Sequence, residues 1–156
     1  MNEEALLKGL REGDPVRAAQ AANALWDLWH RSGDAQVDSV LRQGIDLMEK
    51  QDVAGAEAVF SRVIQLAPEF AKGWNKLASV RFLARDYGGA IADCHQVLAR
   101  KPWHFGALSG QGLCHLAREE YREAAAMFRK ALAVHPNLEG ARANLRAALS
   151  ELVKWN

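Results

Sequence analysis

Apolar residues along this chain recur at steps of three and four, the spacing that lays one buried stripe along an α-helix. From residue 37 onward the stripes come in pairs. They predict helices at about 37–50 and 53–66, 71–84 and 87–100, and 105–118 and 121–134, each pair an antiparallel hairpin with a short turn. Ala141, Leu145, Leu149 and Leu152 form a further stripe, with Arg142, Arg146 and Glu151 on the polar side, and predict a last helix from Leu138 to Val153. The leading residues are less regular. Helices are expected near 3–12 and 15–31; Gly9 and Gly13 keep the first short, and Asp14 and Pro15 suit the cap and first turn of the second. The alphabet agrees, with no Thr and few β-branched residues.

Three of the four prolines, Pro68, Pro102 and Pro136, stand 34 residues apart. They divide the chain into units 37–70, 71–104 and 105–138, which agree at many other places. The sixteenth place holds Asp52, Asp86 and Glu120, and the twentieth Ala56, Ala90 and Ala124. The twenty-fourth holds Phe60, Cys94 and Phe128, and the twenty-seventh Val63, Val97 and Ala131. In the first helix of each unit Val40, Trp74 and Leu108 correspond, as do Gly44, Ala78 and Gly112. Small residues at places eight and twenty are expected where two helix backbones cross closely. The proline closes each hairpin, because it lacks an N–H and disfavours helix in the residue before it. A weaker echo, Asp14 to Ala18 against Asp52 to Ala56, is offset by four extra residues that fit the turn Arg31-Ser32-Gly33-Asp34. It reads as a degenerate fourth pair over 1–36, with 139–156 as a C-terminal cap.

This pattern of period, small residues and closing proline resembles the tetratricopeptide repeat family over residues 37–138. The resemblance implies an all-α, right-handed superhelical solenoid of antiparallel helix hairpins, in which the first helix of each unit lines a concave wall where partners lie. Places two, five, nine, twelve and thirteen carry that lining. Carried onto this chain, they name Leu41, Ile45, Met48, Lys72, Asn75, Ser79, Phe82, Ser109, Leu113 and Leu116 as candidate contacts, with Asp38, Glu49, Leu83, Gly106 and Ala117 beside them. One subset of the family grips a C-terminal carboxylate with a clamp of Lys, Asn, Asn, Lys and Arg. Here Leu41, Ile45, Lys76, Gly106 and Gly110 stand at those places, so the clamp is absent. The lining is instead mostly apolar and suits an amphipathic helix or short apolar segment of another protein. The rival expectation is that the N-terminal helices fold over these side chains within the chain.

Charge narrows the partners. Twenty basic and nineteen acidic residues give a net charge of +1, without the basic excess expected of a chain that lives on phosphate backbones. Nucleic acid is therefore not an expected partner. Residues 1–50 carry a net −3, 51–100 carry +1 and 101–156 carry +3. Solvated helix faces account for this, and so does a second reading, head-to-tail self-assembly of a scaffold into a weak homo-oligomer. No stretch approaches the ~18 apolar residues of a membrane span, and the acidic start lacks a signal-peptide core. Two cysteines make no disulfide framework, so a cytoplasmic, reducing home is expected. Met1 favours a whole gene product over an excised piece.

Candidate chemistry is thin. Cys94-His95 and Cys114-His115 look like two ligand pairs, but Cys94 holds a core place of the repeat and His115 the place of a core Tyr, so no metal is expected. The six serines show no nucleophile motif, and Gly88-Gly89 reads as a hairpin turn and not a phosphate cradle. Glu119-Glu120 reads as a solvated turn. No cofactor is expected and the chain reads as non-catalytic. Among the five tryptophans, Trp74 is expected in the core, Trp26 and Trp29 against the next hairpin, Trp103 in a gap between units, and Trp155 loose.

Overall fold

The computed structural model describes residues 2–154; Trp155 lies outside them. Among the described residues the chain is all α. In order the helices are α1 (Glu3–Glu12), α2 (Pro15–Trp29), α3 (Ala35–Glu49), α4 (Val53–Leu66), α5 (Ala71–Leu83), α6 (Tyr87–Arg100), α7 (Phe105–Ala117), α8 (Tyr121–Val134) and α9 (Glu139–Lys154). They fall into two compact units, one of residues 30–102 and one in which the residues up to 29 join those from 103 on.

The unit of residues 30–102 holds two hairpins, α3 with α4 and α5 with α6, and α4 packs on α5. Its core is Val37, Val40, Leu41, Ala56, Phe60, Val63, Leu77 and Val80. The helix ends follow from local chemistry. Asp34 caps α3 by accepting the Gln36 N–H at 2.8 Å. Asp52 and Asp86 cap α4 and α6 in the same way, accepting from Gly55 at 2.9 Å and Gly89 at 3.0 Å. Gly88 and Gly89 thus lie inside the first turn of α6, not in the hairpin turn. The turn itself is made by Arg85, at φ 62, and its counterparts Gln51 (φ 63) and Glu119 (φ 59) do the same work in the other hairpins. Ala67 and Lys101, each preceding a proline, leave the helical region at ψ 75 and 80 and end α4 and α6.

At Gly44 and Gly112, both at place eight, the nearest neighbour is an aromatic side chain. A Cβ on Gly44 would run into the ring of Phe60. In the other unit a Cβ on Gly112 would stand 2.7 Å from Cε1 of Phe128. Where place eight is Ala78, the twenty-fourth place shrinks to Cys94. Volume is therefore conserved between the two places, as close packing demands.

In the other unit α7 pairs with α8, and α9 lies along α8. The α9 stripe buries Ala141 and Ala148, with Leu145, Leu149 and Leu152 half-buried. The leading pair does form a hairpin, α1 on α2, with Gly9 close to Ala21. It buries itself against the last hairpin of the chain. Leu6, Leu10, Ala21, Ala22, Leu25 and Trp29 cluster with Phe105, and Leu7, Trp26, Trp103, Val134 and Leu138 pack around them. Trp26 and Trp29 accordingly meet the start of α7, at His104 and Phe105. Their partners are aromatic, and aromatic pairing carries no periodicity along the chain.

Candidate functional site

In the unit of residues 30–102, the candidate lining residues sit on α3 and α5. Leu41 is a correction to the groove: it is only 2% exposed and belongs to the core. It forms, with Ile45, the floor of a cavity of about 540 Å³ whose rim is His30, Arg31, Asp38 and Arg42. Asp38 is committed to the turn below, accepting from the Ser32 backbone N–H at 3.2 Å and its hydroxyl at 2.6 Å. Arg31 and Arg42 carry no ion pair among the described residues. Ile45 and Met48 are half-buried on the edge of the core.

On α5 Phe82 is half-buried, its ring edge-on to Tyr87 at 5.5 Å, and Leu83 beside it is 58% exposed. Ser79 is exposed and donates its hydroxyl to the Asn75 carbonyl at 3.1 Å. Lys72 departs from an open lining residue, being only 8% exposed. Burial, and then the charge of Lys76, pull its amine down to about 8, and burial also lowers Lys76. Two adjacent amines one helical turn apart thus sit in a poorly solvated place.

Two features of this unit were not evident from the sequence. Arg81 reaches from α5 to Asp93 on α6, donating through Nη1 to both carboxylate oxygens at 2.9 Å, and lies 3.5 Å from Glu57 on α4. Trp74 is half-buried and not core. Its indole donates to the Pro68 carbonyl at 2.9 Å, and Arg100 stands over its ring at 5.4 Å while donating to the same carbonyl. The only advance signal was the spacing of an Arg and an Asp twelve residues apart, which many solvated helices share.

In the other unit the lining places on α7, Ser109, Leu113 and Leu116, are half-buried. Gly106 is covered from within the chain: a Cβ there would stand 2.6 Å from Cη2 of Trp26. The Cys94 and Cys114 thiols are both buried and form no disulfide among the described residues. Burial pushes the Cys114 thiol up to about 11, well away from thiolate chemistry at neutral pH. His115 contacts Glu120 at 3.0 Å, and Arg118 reaches the same carboxylate at 3.2 Å, so Glu120 is tied down while Glu119 is exposed. Among the described residues no helix is long and apolar enough to cross a membrane.

Two sequence-family models, each described as tetratricopeptide repeat, match residues 41–105 and 81–149. The chain belongs to the tetratricopeptide repeat family. A TPR repeat-containing protein of Rhizobium etli is 33% identical over 100 residues, which are 64% of this chain and 49% of the relative. The chain therefore spans about half the length of that curated relative. Among solved structures, the first TPR domain of Spaghetti, bound to an HSP90 peptide, superimposes with a TM-score of 0.74 at 21% identity, over 77% of this chain and 96% of that one. Part of the O-GlcNAc transferase of Thermobaculum terrenum also superimposes, with a TM-score of 0.69 at 22% identity, over 74% of this chain and 22% of that one.

Proposed function

We propose that this TPR protein is a non-catalytic interaction module that holds a peptide or amphipathic helix of another protein against the first helices of its repeats. The observation that carries the reading is the face of α3 and α5. It offers Ile45, Met48 and Phe82 half-exposed and Leu83 exposed, next to a cavity floored by Leu41 and Ile45. A burial-seeking side chain gains most by entering such an apolar floor, and Arg31 and Arg42 at its rim suit a nearby carboxylate. Ser109, Leu113 and Leu116 offer a comparable face on α7 in the other unit. The Spaghetti domain holds the acidic peptide SRMEEVD. In this chain the clamp places are filled by Leu41, Ile45, Lys76, Gly106 and Gly110, so apolar contact and not carboxylate capture is the expected source of affinity.

The non-catalytic part of the reading is supported by the sequestered thiols and by the carboxylate partner of His115. A cytoplasmic home is part of the same proposal and is supported by two cysteines that form no disulfide among the described residues. Self-association through oppositely charged ends is a second reading, supported by the net −3 of residues 1–50 against the net +3 of 101–156. Light scattering across salt tests it, because screening at ~0.5 M should dissolve such contacts.

The test of the main reading is affinity capture from native lysate by the wild type and by two single variants, Phe82→Glu in α5 and Leu113→Glu in α7. Each variant is first checked for unchanged helicity and melting temperature. Loss of a wild-type partner in either folded variant is the expected result. Identical capture by the wild type and both folded variants rules the faces out.

A further inference from the structure

We propose that the start of α7 and the end of α8 form a docking site for an amphipathic helix carrying two aromatic residues three positions apart, and that α2 is its tethered, displaceable occupant. The site lies in the other unit from the α3 and α5 face, and the proposal does not depend on that face.

The site is built by side chains that depart from the repeat. Where the preceding repeat has Phe70, Ala71 and Lys72, this one has His104, Phe105 and Gly106; where that repeat closes on Lys101, this one closes on His135. His104 is 1% exposed and caps α7, its Nδ1 accepting the Ala107 N–H at 3.0 Å, which requires the neutral ring. The cap belongs to α7 itself, so the seat keeps its shape whichever helix lies on it. Trp29 stacks on the His104 ring at 4.5 Å, and Trp26 stands edge-on to His104 and to Phe105, both at 5.3 Å. His135 meets the far side of Phe105 at 5.0 Å. Gly106 leaves room that the Trp26 ring fills. Glu3 on α1 accepts the indole N–H groups of both Trp29 and Trp103. An apolar helix face with an aromatic pair and one accompanying carboxylate is thus the chemistry that fits.

The occupant is separable by topology. The hairpin α1–α2 reaches this seat although residues 30–102 form their own unit in between. It is joined to α3 through residues 30–34, where Gly33 takes φ 84 with nothing near its Cβ position. As a segment of the same chain, α2 competes intramolecularly, at an effective concentration that a free partner has to exceed. A free partner of the same chemistry is therefore excluded until the tethered helix is weakened or outcompeted.

A labelled synthetic peptide of residues 14–31 serves as the probe, with the full chain as host. The wild-type host is expected to bind it at least tenfold more weakly than a Trp26→Ala/Trp29→Ala host, whose own α2 has lost its grip. Adding Gly106→Leu to that host should abolish binding, as should removing both indoles from the peptide. A folded Trp26→Ala/Trp29→Ala host that ignores the peptide overturns the proposal. Hydrogen exchange on the unaltered chain gives an independent reading should that host fail to fold. Amides of α1 and α2 exchanging well ahead of those of α8 support a displaceable occupant, and equal protection in all three overturns it.

Discussion

The ring of Phe128 fills the space that a side chain on Gly112 would need, with Cε1, Cδ1 and Cζ all within 2.9 Å of the Cβ position. Phe128 is fully buried and has nowhere to retreat. Gly112→Ala gains about 1 kcal/mol of helix propensity but overpacks the crossing by about 1–3 kcal/mol or more. Urea denaturation should show a net loss near 1 kcal/mol. Combining it with Phe128→Cys, which copies the Ala78 and Cys94 pair, should cost less than the two changes summed. A stabilised Gly112→Ala variant would mean that the ring yields and the volume argument is wrong.

Arg85 ends α5 in the left-handed region at φ 62, where a side chain costs about 1–2 kcal/mol and glycine costs almost nothing. Part of that gain is lost because glycine makes the unfolded chain more flexible. Arg85→Gly should therefore raise stability by about 0.5 kcal/mol, seen as a higher urea midpoint at unchanged slope. Gln51→Gly and Glu119→Gly should follow the same trend.

Asp93 is 2% exposed, and burial pushes its carboxyl up to about 6 against the pull of Arg81, with Asp86 and Glu57 adding to the rise. The folded chain then binds this proton more tightly than the unfolded chain, whose carboxyl titrates near 3.8. The contribution to stability is full below about pH 3.8 and is lost as pH rises to about 6. Asp93→Asn should remove that slope, so that its stability relative to the wild type improves steadily between pH 4 and 6. Arg81→Ala strands a buried carboxylate and should cost about 3–5 kcal/mol at pH 7.

Lys72 works in the opposite sense. Its folded amine titrates near 8 and its unfolded amine near 10.5, so the unfolded chain holds the proton more tightly. Stability from this group rises with pH between about 8 and 10.5 and is absent below that window. Lys72→Met should be more stable than the wild type at pH 7 by roughly 2 kcal/mol, and the gap should close by pH 10.5. A constant gap across that range would mean that packing, and not the buried charge, sets the difference.

Most of the helices were legible because their causes are local. The Asp52 and Asp86 caps, the prolines after Ala67 and Lys101, and the apolar steps within each helix all act over a few residues, and each predicted boundary in 37–134 lies within about two residues of the one observed. The lining was less legible. Leu41 and Lys72 hold the right register places for a wall, yet how deeply each side chain sinks depends on neighbours on other helices.

The 34-residue period, the hairpins it generates and the family they belong to were determined by the sequence alone, since a repeated local pattern announces itself wherever it stands. Tertiary structure alone decided what the leading helices cover. Trp26 and Gly106 are eighty residues apart and share no period, and their contact follows from the fit of an indole into the room left by a missing side chain. The same holds for Glu3, whose carboxylate gathers two indoles from distant parts of the chain. Shape and hydrogen-bond complementarity between remote segments exist only once both have folded.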